Sequence, residues 1–185
     1  MKKSMLALGL MLLLSAVSNY SFAQKNPMVG GEEMYPTKNI VENAVKSKEH
    51  TTLVAAVQAA GLVETLQGAG PFTVFAPVNS AFDMLPAGTV ETLLKPENKD
   101  MLVKILTYHV IAGKYDSKMI MDAITANGGK ATMPTVAGGS LSFSMDKDNK
   151  IWVWDEKGNS AMVTIADVYQ SNGVIMVIDK VLMPM

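Results

Sequence analysis

The sequence predicts a single α+β domain, with helices supplied mainly by the N-terminal half and antiparallel strands by the rest. Two observations carry this. Apolar residues recur at helical spacing as far as about residue 124, and after Asn127-Gly128-Gly129 they alternate with polar ones. Short apolar runs are then separated by clusters of Asp, Asn, Gly and Lys, which is turn chemistry. Helices first and strands after make an α+β domain.

The first segment is an export signal in pattern. Lys2 and Lys3 precede an uncharged apolar stretch from Met5 to Val17, and Ser21-Phe22-Ala23 is a small-x-small cleavage site. The stretch is shorter than the roughly 20 apolar residues a bilayer requires. Residues 1–23 are therefore expected to be removed, with Gln24 as the mature start. The product is expected to be secreted or periplasmic, with no transmembrane anchor. Residues 24–36 are polar around Gly30-Gly31 and predict a flexible N-terminal arm. The domain is expected over 37–185.

Pro36-Thr37 opens the first helix, with Ile40, Val41, Ala44 and Val45 along one face. Thr51 or Thr52 can cap the next, where Leu53, Val54, Val57 and Ala60 recur, and Gly61 stops it. Leu62 to Leu66 adds a short turn of helix. Phe72 to Ala76 is an apolar strand fenced by Pro71 and Pro77. Asn79 can cap a brief helix ending at Pro86. Pro96 opens a helix running from Glu97 to about His109, with Met101, Leu102, Ile105 and Leu106 on its apolar face. Ser117 can cap a further helix through Ile124.

Leu141, Phe143 and Met145 alternate with serines, which predicts a strand with one wet face. Asp146-Lys147-Asp148-Asn149 is a hairpin turn rather than a calcium loop, since Lys150 stands where a ligand would be needed. Ile151 to Trp154 is the returning strand. Glu156-Lys157-Gly158-Asn159 is the next turn and Ala161 to Val168 the next strand. Asn172-Gly173 precedes a last apolar run, Val174 to Ile178.

Composition narrows the function. Of 185 residues, 49% are hydrophobic, enough for a sizeable core. The net charge is −1 and every basic residue is Lys. Arg is the usual residue for bidentate phosphate and base contacts, so nucleic acid is not an expected partner. There is no Cys, which removes disulfides, thiolate catalysis and Cys-ligated metal centres. The sequence holds no G-x-S-x-G, Walker or G-x-G-x-x-G motif and no H-E-x-x-H. No catalytic residue, metal site or cofactor site is assigned. The 15 methionines include Met119-Ile120-Met121, and thioethers suit Cu(I). Positions i and i+2 do not share a helix face, so core filling is the preferred reading.

Three segments resemble the fasciclin domain family. Gly70 to Phe82 (GPFTVFAPVNSAF) is similar to its first signature, Tyr108-His109-Val110 to its central Tyr-His motif, and Asn172 to Leu182 (NGVIMVIDKVL) to its second signature. Their order and spacing fit secreted bacterial single-domain members over about Thr37 to Pro184. One departure is that the family usually carries His where this chain has Met176. The resemblance implies a β-sandwich or wedge flanked by helices, no cofactor and no enzymatic activity. It implies an adhesion or interaction module that binds a cell-surface or matrix protein, or a polysaccharide. A periplasmic small-ligand or metal-binding protein is the alternative. In animal members, integrin contacts are assigned to positions matching Tyr108, His109, Asp167 and Val168. The surface is carried over, and the ligand is not.

Two of these residues can be placed by helix geometry. His109 follows Ile105 by four and Leu106 by three, so it belongs to the apolar face and is expected to be a buried, neutral fold residue. Tyr108 is one position round and is expected to face outward with a wet hydroxyl, as the better contact candidate. Trp152 and Trp154 are the only tryptophans. They alternate with Ile151 and Val153, which puts both rings on one sheet face roughly 7 Å apart. Burial of both faces is preferred because Trp is usually mostly buried. The other reading is an open platform for a protein or sugar.

Overall fold

A computed structural model describes residues 26–185. The expected export signal and the cleavage point before Gln24 lie outside the described residues. From residue 26 onward the expected loose arm is packed. Met28–Val29 (β1) and Glu32–Glu33 (β2) form a small antiparallel hairpin, and Val29 and Met34 are buried. These two apolar anchors outweigh the polar residues around them.

Seven α-helices follow among the described residues. Ile40–Ala44 (α1) starts at a capping box, Asn39 with Glu42. Thr51–Ala60 (α2) ends at Gly61, in left-handed conformation. Val63–Gln67 (α3), Asn79–Asp83 (α4) and Thr89–Leu93 (α5) are short. A 3-10 turn at Pro96–Asn98 leads into Lys99–Tyr108 (α6), and Ser117–Ala126 is α7. Three caps differ from expectation. Neither Thr51 nor Thr52 caps α2, whose N-cap position is His50. Asn79 does not cap its own helix; its Oδ1 accepts from the Thr52 amide at 3.1 Å and so caps α2 from a distance. Asp116, not Ser117, caps α7 through the Met119 amide.

Seven strands form one sheet. They are Phe72–Pro77 (β3), Val110–Ala112 (β4), Lys130–Pro134 (β5), Ser140–Met145 (β6), Ile151–Trp154 (β7), Ser160–Gln170 (β8) and Gly173–Ile178 (β9). The order is β4-β3-β9-β8-β7-β6-β5. All neighbours are antiparallel except β3 and β9, which run parallel. The expected all-antiparallel arrangement is thus corrected to a mixed one. β3 and β9 are buried on both faces, and such strands read as continuous apolar runs, as parallel strands do.

β8 shapes the fold. Its first residues pair with β7, while its length pairs with β9 through two register shifts between Val163 and Val168. Bulges bend and twist a strand, and the sheet folds over along β8 into a wedge. Two cores result. Val74, Ala76, Ile175 and Val177 face the helices, against Leu53, Ala56, Leu102 and Leu106. Phe75, Val174, Met176 and Ile178 face into the wedge, against Leu141, Phe143, Val153, Ala161 and Ile120 and Ile124 of α7. Met176 pairs with Phe75 and is fully buried, so the family's usual His position is a core position here.

The second signature earns its residue types by contacts. Asn172 is buried; its Oδ1 accepts from the Ile40 amide at 3.0 Å, and its Nδ2 donates to the carbonyls of Leu66 (2.8 Å) and Gly68 (2.9 Å). Its own carbonyl accepts from the Phe72 amide. Gly173 has ordinary φ, and its role is steric: a Cβ there would lie 2.1 Å from the Phe72 carbonyl oxygen. The tight β3–β9 approach therefore requires glycine. The Asp179 carboxylate accepts from the distant Met162 amide at 2.7 Å.

Asn172→Ala strands three backbone groups at once. It should destabilise the protein by about 2–4 kcal/mol, read as a lower urea midpoint at unchanged m. A midpoint equal to wild type would remove Asn172 from this role.

Candidate functional site

The Tyr-His pair sits at the end of α6, where the helix runs between the two cores. His109 is 3% exposed. Its Nδ1 lies 2.8 Å from the Ile105 carbonyl and its Nε2 accepts from the Leu182 amide at 3.0 Å. One nitrogen donates and the other accepts, which describes a neutral imidazole. Burial pushes its pKa down to about 4, partly opposed by the Ile105 carbonyl and by Asp155. His109 thus fastens the C-terminal segment to α6, as its helix position predicts.

Tyr108 is not outward-facing. It is 0% exposed, and its hydroxyl donates to the Ser140 carbonyl at 2.8 Å and accepts from the Glu156 amide at 3.1 Å. The expectation failed because α6 has two apolar neighbours at its last turn. Leu102 and Leu106 face the helical core, while Tyr108, two positions after Leu106, enters the wedge core. Met101, expected on the apolar face, is exposed instead. Gly139 makes room for the ring, since a Cβ there would come within 2.9 Å of it.

Asp167 and Val168 part at the β8 bulge. Val168 is buried in the helical core. Asp167 has φ 59°, a left-handed conformation that Asp tolerates better than most residues. Its carboxylate accepts from both the amide and the hydroxyl of Ser117 at the start of α7. Of these four residues, Tyr108, His109 and Val168 are interior, and Asp167 is committed to a helix terminus.

Trp152 and Trp154 are arranged differently. Ile151 and Val153 fill the wedge core, and both indoles stand on the opposite face, Trp152 half-buried and Trp154 36% exposed. The preferred expectation of two covered faces is corrected, because no helix among the described residues lies over this side of β5–β8. The rings are locked. Trp152 pairs with Ser144 and reaches diagonally to Asp146, Nε1 to Oδ2, 3.1 Å; Trp154 pairs with Ser142 and reaches diagonally to the Ser144 hydroxyl at 2.9 Å. Asp146 uses its other oxygen on the amides of Asp148 and Lys150, both at 2.9 Å, so one carboxylate closes the turn and holds an indole. The Trp152 hydrogen bond, then those amides, hold its pKa below the usual carboxylate range. Thr132, Ser142, Ser144 and Ser160 share the face.

No cluster of three metal-ligating His, Asp or Glu side chains exists among the described residues. Met119 points outward rather than filling core. No helix among the described residues is long and apolar enough to cross a membrane.

A family model for the fasciclin domain matches residues 48–184. The chain belongs to the fasciclin family. Protein sll1483 of Synechocystis is 47% identical, over 91% of this chain and 86% of that protein. The cell surface glycolipoprotein MPB83 of Mycobacterium bovis is 34% identical, over 88% of this chain and 69% of that protein. A solved FAS1 domain pair from the insect cell adhesion molecule fasciclin I superposes with TM-score 0.70 at 18% identity. The match covers 79% of this chain and 51% of that one, and it shows the shared fold.

The fasciclin signatures therefore describe mainly how this fold is locked. Sequence reasoning missed Asp146 and Ser144 as holders of the indoles. The available signal was the hairpin itself, whose register sets each polar residue diagonal to a Trp.

Two outcomes follow from the Tyr-His geometry. Tyr108→Phe removes a hydroxyl that bonds two backbone groups and should lower stability by about 1–3 kcal/mol in urea titration; no change would mean a wet hydroxyl. For His109 the folded pKa lies below the unfolded value near 6.5. The unfolded chain then binds the extra proton, so stability is full above about pH 6.5 and falls as pH drops toward 4, by up to about 3 kcal/mol. His109→Gln should flatten that part of the profile, measured as urea midpoint against pH. An unchanged slope would show that His109 is not the group responsible.

Proposed function

We propose that this fasciclin protein is an exported, non-catalytic adhesion module that binds a cell-surface or matrix component, protein or polysaccharide. The outer face of β5–β8 is the contact surface in this reading. One observation carries it: Trp152 and Trp154 form a half-exposed pair, held rigid by Asp146 and Ser144 and set among hydroxyl side chains. Large rings that lose little freedom on binding are favourable contact residues. Neutral hydroxyls beside flat apolar rings suit a sugar surface or a polar protein rim. MPB83 is named a cell surface protein and fasciclin I a cell adhesion molecule, which supports the same class. The Lys2, Lys3 and Ser21-Phe22-Ala23 pattern supports export. Tyr108, His109 and Val168 act in this reading through the fold, and Asp167 through α7.

The test is binding of the purified protein, beginning at Gln24, to live source cells and to their isolated surface polysaccharide. Trp152→Ala/Trp154→Ala should lose at least about tenfold in bound fraction at a given concentration while keeping a cooperative unfolding transition. Binding equal to wild type in a folded double variant would reject this face.

A further inference from the structure

The layer between helices and sheet contains an apolar cavity of about 110 Å³. Ile40, Leu53, Val74 and Ile175 are among its walls, and exposed Gln58, Thr65 and Val136 border it toward solvent. It lies on the far side of β3 and β9 from the wedge core and is separate from the tryptophan face.

One polar side chain in the wall is left incomplete. His50 is 3% exposed and lines the cavity. Its Nδ1 is 2.8 Å from the Ser47 hydroxyl, but its Nε2 has no hydrogen-bond partner. It is the one buried side-chain nitrogen or oxygen in that condition among the described residues. Unpartnered buried polar atoms are rare and unfavourable, and such an atom calls for a ligand, a water or another role. A single water would be poorly held here, since water in a cavity needs two to four polar partners and these walls are apolar. Burial holds the imidazole below its ordinary pKa, so it is neutral near pH 7; the Ala76 carbonyl is the main opposing influence. With the Ser47 hydroxyl donating to Nδ1, the proton sits on Nε2, and no acceptor, the Ala76 carbonyl included, lies within hydrogen-bonding geometry of it.

We infer that this cavity is a binding site for a small uncharged apolar molecule bearing one oxygen acceptor, held by the His50 Nε2–H. The apolar walls exclude a charged ligand, which would be stripped of water without a counter-ion. The volume limits the enclosed part, since an apolar cavity of about 150 Å³ accommodates a benzene ring. A ligand of about six to eight heavy atoms, its end reaching the Gln58 and Thr65 border, meets both limits.

The chain has two histidines, so ¹⁵N-histidine labelling gives a readable spectrum. His109, with both nitrogens partnered, serves as internal reference. The protein is titrated with benzyl alcohol and with ethylbenzene, which differ by a hydroxyl in place of a methyl group. Benzyl alcohol should shift the His50 Nε2 resonance saturably, and ethylbenzene should leave it near its starting value. In His50→Leu the affinity ratio of benzyl alcohol to ethylbenzene should fall roughly fivefold, the share of one hydrogen bond. If that variant does not fold, the wild-type Nε2 signal decides alone. No saturable shift up to the solubility of benzyl alcohol, equal shifts from both probes, or an unchanged ratio in the variant would each overturn the site.

Discussion

The parallel pairing of β3 with β9 is the constraint on which the rest of the structure depends. Those strands are far apart in sequence, and their union is fixed at one end by Asn172 and Gly173. Asn172 spends its amide on the start of α1 and the end of α3, and its carbonyl on β3. Gly173 allows the backbones to close. Once joined, the pair offers one apolar face to the helices and the other to the wedge. Both cores are organised around the same twelve residues of strand.

Much of this was legible in the sequence, and the reasons for the rest are physical. Periodicity gave the helix-rich half, the strands β6 to β9, and the turns at Asp146 and Glu156. It could not give the parallel partner of β3, because a short continuous apolar run does not say which strand it joins. It placed His109 correctly, since a helix face is set by spacing alone. It misplaced Tyr108, since the last turn of α6 is covered from two sides and spacing knows of one. The arm over 26–36 misled in the same way: Val29 and Met34 are isolated in sequence, and only the tertiary structure brings them cover.

The candidate site divides along this line. Residues brought forward by family resemblance proved to hold the fold. Residues read from simple alternation, Trp152 and Trp154, proved to be the available surface. Alternation assigned them to one face, but whether that face is covered depends on where helices pack. All the larger helices pack elsewhere: α2 and α6 on the β3–β9 side, α7 at the wedge. In this chain the signature residues are thus committed to the fold, while the outer face of β5–β8 is left uncovered by α2, α6 and α7.

The strand order has a consequence for how such molecules behave at high concentration. An open sheet ends in two strands with unpaired peptide groups, and these can recruit further copies into a growing ribbon. Here one end is β4, three residues long, too brief to template much. The other is β5, which begins with Lys130 and finishes with Pro134. A solvated ammonium at one end and a missing peptide N–H at the other make that border a poor seed for stacking. The molecule can leave its broad side open to a partner while its rims discourage self-assembly.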